Sequence, residues 1–370
     1  MSPEFAEFMK KIFIAATQQN DGKTTASLGL VCNFQRRFKG VGFIKPIGQR
    51  YLEEDGLKFD EDSLLLEEVC GIKGGIKDMS PIAVERGFTE NYIVRPDAAA
   101  ISRRIKDAFR RVSKSRDLVI IEGTGHAGVG SVFDHSNAAV AKMLGSKAVI
   151  ISSGGVGRPI DEIVLNKALF DKEGVKVIGV IINKVLPEKL DKVKALVKKG
   201  LERKGIKVLG VLPYEPSLSY PSIEQILEEN DFELLCGREF IEVYIRKIIV
   251  GTMTPRNIIR YLDDDSLLIT SGDREDVIMT ALGCVREGEK DKLRISGIIL
   301  SGGIIPDQSI MELLSRARIP VLLAKTDTYN VASRIHDMTV KIRPRDKHKI
   351  QEVVKLIKDH VDMEGILKGM

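Results

Sequence analysis

The chain has 370 residues, 43% hydrophobic and 29% charged, a balance that supports folded cores and excludes a disordered chain. Its 57 basic and 52 acidic side chains leave a net charge of +5, too small at this length to demand a nucleic-acid partner. No apolar run approaches a membrane span and no signal-peptide core opens the chain, so no membrane partner and a cytoplasmic location are expected.

Ser2-Pro3-Glu4-Phe5 reads as a vector-derived junction, which puts the start of native sequence near Met9. A β run, Ile12–Ala16, then leads through a polar turn into Gly22-Lys23-Thr24-Thr25 and a helix expected over Lys23–Arg37. Strand, loop, GKT and helix in that order aim backbone N–H groups and a helix N-terminus at a phosphate. Lys23 would neutralise the β- and γ-phosphates, and the Thr24 hydroxyl would ligate Mg²⁺. The glycine that usually opens such a loop is missing: Thr17 holds its place with four intervening residues, Ala16 with five.

A second strand, Val41–Ile44, delivers Lys45 before Pro46. The carboxyl end of a parallel strand is where open α/β sheets bind ligands, so Lys45 reads either as a phosphate or anion contact or as a solvated strand-end lysine. In Asp60-Glu61-Asp62, a carboxylate ahead of a helix serves as an N-cap or as a Mg²⁺ ligand. Leu118–Glu122 is an apolar strand ending in a carboxylate and the turn Gly123-Thr124-Gly125. Glu122 placed there would complete a Mg²⁺ shell or orient water, since a buried carboxylate without a cation is costly. His126 and His135 read as loop residues, because no third ligand has metal-site spacing.

Further strands are expected at Ala148–Ser152, Val177–Asn183 and Val208–Pro213, with an amphipathic helix in Pro187–Lys204. Asn183, at a strand end, offers its amide to a purine edge or caps the following turn. Short apolar strands alternating with helices imply a parallel sheet covered on both faces. Pro213-Tyr214-Glu215-Pro216 breaks the pattern, and a short helix follows at Ser222–Glu229. A smaller α/β unit begins near Cys236. Its strands are Ile248–Thr252, Ser266–Thr270, Gly297–Leu300 and Val321–Ala324, and its helices Arg274–Arg286, Asp307–Arg316 and Tyr329–His336. Asp346–Val361 reads as a closing amphipathic helix. Cys32, Cys70, Cys236 and Cys284 are widely spaced and read as core thiols of a reducing compartment. The lysine-rich stretch 189–207 has no interleaved aromatics and reads as a solvated helix face, with no nucleic acid implied.

Taken together, Ala16, Gly22-Lys23-Thr24, Lys45-Pro46, Asp62, Glu122-Gly123-Thr124-Gly125 and Asn183 resemble the dethiobiotin synthetase family of P-loop enzymes, in order and spacing, over about residues 9–235. The resemblance implies a P-loop NTPase-type parallel sheet with helices on both faces. It also implies ATP and Mg²⁺ as cofactors and a homo-oligomer, a dimer, because the family builds its substrate site across a dimer interface. By that resemblance Thr17, Gly22, Lys23, Thr24, Thr25 and Asn183 would bind nucleotide. Thr24, Asp62 and Glu122 would hold the metal, and Lys23, Lys45 and Glu122 would serve catalysis. The segment Ser153–Asp161 departs from the family's substrate segment, and its Arg158 and Asp161 make it charged.

Ser271-Gly272-Asp273-Arg274-Glu275-Asp276, Ser301-Gly302-Gly303 and Asp327-Thr328-Tyr329 resemble a DRTGG domain, expected over 236–345 and followed by a helix and tail at 346–370. This pairing resembles the N-terminal region of long phosphate acetyltransferases, and because the sequence stops after DRTGG no acetyl transfer is expected. Two functions follow from the resemblance: a nucleotide-responsive regulatory module with a small-molecule or protein partner, or ATP-dependent phosphoryl transfer to a carboxylate or carbamate. A partner-switching ATPase of the ParA/MinD kind fits less well, since Gln18 stands at the position of their signature lysine. Ser271–Arg274 reads first as a helix cap and second as an anion site.

Overall fold

The computed structural model describes residues 9–54, 56–72, 75–284 and 293–370; the junction at residues 2–5 and the expected helix end at residue 286 lie outside them. The chain forms two compact units. The first takes residues up to Glu215 together with Ile342–Met370, and the second is Pro216–Lys341.

The strands of the first unit are β1 (Lys10–Ala16), β2 (Val41–Ile44), β3 (Ile47–Gly48), β4 (Tyr51–Glu54), β5 (Leu57–Asp60), β6 (Ile82–Ala83), β7 (Leu118–His126), β8 (Lys147–Ser153), β9 (Val177–Val185) and β10 (Val208–Pro213). Six of them form one parallel sheet in the order β10-β9-β8-β1-β7-β2. Residues 12–16 of β1, 118–121 of β7 and 148–151 of β8 are fully buried. Unbroken apolar runs of this kind suit strands covered on both faces, which is the parallel, helix-flanked arrangement. Helix Ala98–Val112 shows how the cover is made: Ile101, Ile105, Ala108 and Val112 are buried on one stripe, and Asp97 caps the start by accepting from the Ala100 amide at 2.9 Å.

After the second unit the chain returns to the first. Helix Lys347–His360 packs on α1 (Lys23–Phe34) so closely that a Cβ on Gly29 would lie 2.3 Å from Ile357. The Asn33 amide donates across this contact to the Val354 carbonyl at 2.9 Å. A last helix, Met363–Gly369, follows. Residues 346–370 are therefore no tail but part of the first unit's core, with Val353, Ile357 and Ile366 buried.

The second unit carries β11 (Glu233–Cys236), β12 (Lys247–Val250), β13 (Ser266–Ser271), β14 (Ile295–Ser301) and β15 (Val321–Leu323) in the order β11-β15-β14-β13-β12. Four run parallel, and β11 pairs antiparallel with β15. Alternation along β13 feeds two cores. Leu268 meets Val277, Ile278 and Leu314 on one face, and Leu267 and Ile269 meet Ile223, Ile226, Val331 and Ile335 on the other. This explains why the unit begins at Pro216 and not near Cys236. Helix Ile223–Glu229 supplies core residues to this sheet, and residues 233–236 form its edge strand.

Candidate functional site

The loop after β1 is built around Asp21, which is buried. Its carboxylate accepts from the Thr17 hydroxyl at 2.7 Å, from the Gln18 amide at 2.7 Å and from the Ser153 hydroxyl. Its carbonyl accepts from the Asn183 side-chain amide at 2.9 Å. Gly22 follows at φ +99°, a left-handed conformation, and a Cβ there would lie 2.1 Å from the Asn183 Nδ2. Gly22 is also the N-cap of α1 and supplies no side-chain oxygen, so the first-turn N–H groups of α1 are not capped by a side chain. Lys23 folds back, its ammonium 3.4 Å from the Gln18 carbonyl. Burial pulls the Lys23 ammonium below its ordinary pKa, with Glu122 opposing.

Asn183 sits behind this loop. Its carbonyl oxygen accepts from the Lys184 amide at 2.9 Å, so two of its polar functions hold the loop and the strand end together. Gln18, at the signature-lysine position, donates to Glu162 at 2.6 Å, as does Arg158 at the same distance.

Beside the loop stands a carboxylate cluster that the sequence only partly displays. The Lys45 ammonium donates to Asp60 at 2.8 Å and to Asp62, and lies 3.8 Å from Glu122. Glu122 in turn accepts from the Thr24 hydroxyl at 3.1 Å. The local fold makes this possible. The β4–β5 hairpin carries Asp60 to the start of α2 (Glu61–Cys70), where Asp60 is the cap, accepting from the Asp62 amide at 2.9 Å. The capping role thus belongs to Asp60, and Asp62 occupies the first turn. Thr24, Lys45, Asp62 and Glu122, from four different elements, are brought into one cluster.

Charge in the cluster is unbalanced. Burial alone would lower the Lys45 pKa, but Asp62, Asp60 and Glu122 reverse this and hold the ammonium charged. Burial raises the Glu122 carboxyl to about 7, with Asp62 adding and Lys45 opposing. Burial likewise raises Asp60 to about 6, against the pull of Lys45. Glu122 Oε2 and Asp60 Oδ2 are buried with no hydrogen-bond partner among the described residues. Three carboxylates around one ammonium, two of them with an unused oxygen, suit an added cation. No group of three or more His, Cys, Asp or Glu with metal-holding geometry occurs among the described residues.

His135 is used structurally. Its Nδ1 lies 2.7 Å from the Phe133 carbonyl and its Nε2 2.8 Å from the Ser102 hydroxyl, and the ring is buried. His126 is exposed at the end of β7.

Residues 10–222 match the AAA_26 family, an AAA domain. The chain belongs to the AAA_26 family. Residues 225–338 match the DRTGG domain. The AAA_26 chain is 25% identical over 370 aligned residues to the phosphate acetyltransferase of Pseudomonas putida, covering 96% of this chain and 51% of the relative. It is 26% identical to that of Pseudomonas aeruginosa, covering 97% and 52%. It thus spans about half the length of these curated relatives. Among solved structures it is similar to the MinD cell division protein of Aquifex aeolicus, at 16% identity and a TM-score of 0.36, covering 56% of this chain and 84% of that one.

In the DRTGG unit of the AAA_26 chain, Arg274 is held by Asp276 in a two-pronged pair at 2.8 and 3.0 Å and donates to the Met253 carbonyl at 3.1 Å. It precedes helix Glu275–Cys284. Gly302 and Gly303, at φ +79° and +67°, make the tight turn after β14, their amides donating to the Thr326 and Ala324 carbonyls at 2.7 and 2.9 Å. Among the described residues no helix is long and apolar enough to cross a membrane.

The raised carboxylates have a consequence for this AAA_26 fold that heat can read. Glu122 rises from 4.5 to about 7 and Asp60 from 3.8 to about 6, so between those limits the folded state holds protons the unfolded chain has lost. Their contribution to stability therefore falls as pH rises through 6 to 7. The melting temperature of the unliganded protein is expected to rise when pH is lowered from 7.5 to 6, and Glu122→Gln to flatten that slope. A slope of the opposite sign in wild type, unchanged in the variant, would contradict this account of the cluster.

Proposed function

We propose that the chain is a Mg-ATP-binding P-loop protein serving as a nucleotide-responsive regulatory module of the phosphate acetyltransferase type. The observation that carries the reading is the pairing of the uncapped start of α1 at Gly22 with the cation-poor cluster of Lys45, Asp60, Asp62 and Glu122 beside it. Phosphates would lie on the first-turn N–H groups with Lys23 beside them, and Thr25 follows Thr24 in that turn. Thr17 shapes the loop from its start, and Asn183 sets its far wall. Thr24, Asp62 and Glu122 would hold Mg²⁺, which when bound supplies charge neutralisation between the phosphate oxygens. The unused oxygen of Glu122 fits that role. Support for the regulatory half comes from the DRTGG unit and from relatives of about twice the length that are phosphate acetyltransferases. In this reading the protein is a cytoplasmic dimer.

Titration calorimetry with Mg-ATP tests the binding. Lys23→Ala is expected to lose about 1.5–3 kcal/mol, roughly a 10- to 150-fold weaker affinity, by losing a charge-assisted phosphate contact. Equal affinity in wild type and variant would remove the reading. A dimeric mass by light scattering is expected, and a monomer at micromolar concentration would count against the dimer.

A second reading is ATP-dependent phosphoryl transfer to a carboxylate or carbamate. It is favoured by Lys45, a charged ammonium held at the end of β2 beside Thr24 and Glu122, where it would stabilise a transferring phosphate. Glu122→Gln separates the two readings. For an enzyme it keeps nucleotide binding and lowers ATP turnover; for a binding module wild type shows no turnover to lower.

A further inference from the structure

Cys32 and Cys70 are 38 residues apart in sequence, and as isolated core thiols they carried no pairing. In the fold their sulfurs lie 3.1 Å apart. Cys32 is on the last turns of α1, and Cys70 is the final residue of α2. Both are only partly buried, so a small reagent can reach them. The two helix ends are tied a second time: the Gln35 side-chain amide donates to the Cys70 carbonyl at 2.7 Å. The backbone near Cys70 is therefore held where the thiols meet, and closing the pair requires little chain movement. Cys236 and Cys284 belong to the other unit.

We propose that Cys32 and Cys70 form an oxidative modification site, a dithiol that a hydroperoxide converts to a disulfide clipping α1 to α2. Cys32 is the attacking thiol. The contact with Cys70 lowers its pKa, against the effect of burial, and Arg36 lowers it further. The same contact raises the Cys70 thiol. The Cys32 thiolate attacks a peroxide oxygen, forming an S–O bond as the O–O bond breaks, and the leaving oxygen departs as water or alcohol after taking a proton. Cys70 sulfur then attacks the Cys32 sulfenic acid. The S–S bond forms, the S–O bond breaks, and hydroxide leaves with the Cys70 proton as water. Two thiols lose two electrons in all, and the two peroxide oxygens gain them.

The clip matters because of where the helices begin. α1 starts at the phosphate loop and α2 at the Asp60–Asp62 turn, so the disulfide would join the far ends of the two elements that frame the cluster. The site itself does not depend on the nucleotide reading.

The test treats the full chain with stoichiometric hydrogen peroxide, blocks remaining thiols with iodoacetamide, and maps peptides without reduction. The expected result is one crosslinked species joining the Cys32 and Cys70 peptides, with Cys236 and Cys284 alkylated and full reversal by dithiothreitol. Wild type should also gain roughly 4–10 °C in melting temperature on oxidation, a gain absent in Cys32→Ser and Cys70→Ser. The unoxidised melting temperature of those variants serves as the folding control. Recovery of both thiols alkylated, or crosslinks only between chains, would overturn the site. A Cys32–Cys70 crosslink that leaves the melting temperature in place would overturn the clip.

Discussion

Lys45→Met is expected to destabilise the unliganded first unit by about 3–5 kcal/mol, a fall in melting temperature on the order of 10 °C. The reason is burial. Lys45 is 7% exposed, and the carboxylates it serves, Asp60 and Glu122, are 1% and 0% exposed. Methionine fills much the same space, so the loss is one of charge and not of packing. It leaves three acids facing each other with no ammonium between them. Those acids can escape only by taking up protons, so the deficit should shrink at pH 6 relative to pH 7.5. Adding Glu122→Gln should recover a substantial part of the loss, because the two changes act on one network. Calorimetric scans of the four combinations measure this coupling. Additive losses would mean that Lys45 and Glu122 do not share a charge balance.

Gly22→Ala is expected to weaken Mg-ATP binding roughly 30-fold or more while leaving the melting temperature within a few degrees. Two costs combine at this position. The backbone stands at φ +99°, which an L side chain rarely adopts, and the new Cβ would come to 2.1 Å from the Asn183 amide. The loop or Asn183 must move, and Asn183 is what fixes the Asp21 carbonyl. Calorimetry that finds Gly22→Ala binding like wild type would show that the loop does not need its present shape to hold phosphate.

Much of the first sheet was legible because its strands are unbroken apolar runs. β2 and β10 fall where the pattern put them, and β1, β7, β8 and β9 extend past the expected ends by one to four residues. Extension happens at strand ends because polar residues such as Thr124 and His126 continue the ladder without showing an apolar signature. Residues that carry charge after such runs, Lys45 and Glu122, were visible for the same reason. What stayed hidden depends on contacts far apart in sequence. The partnership of Lys45 with Asp60 needs the β4–β5 hairpin, and no local spacing announces it. Asp21 looked like a turn residue, and only the fold brings Ser153 and Asn183 to it. β11 is only four residues long and opens on the exposed Glu233, so it left little strand signal at the edge of the sheet. The return of residues 347–360 onto α1 left no trace beyond an amphipathic stripe.

That return sets the order in which the chain can be completed during synthesis. The second unit is continuous, Pro216–Lys341, and all its strand partners leave the ribosome close together. The first unit has its opening strand made at once but lacks Val353 and Ile357 until more than three hundred residues later. Contacts closed across so long a stretch form slowly, and domains that are continuous in sequence tend to fold as they emerge. The later unit should therefore be finished before the earlier one, and the nascent phosphate-loop unit would wait, with the Gly29 face of α1 bare, for the helix that covers it. A released chain truncated near residue 345 would carry a folded second unit and a protease-sensitive first one.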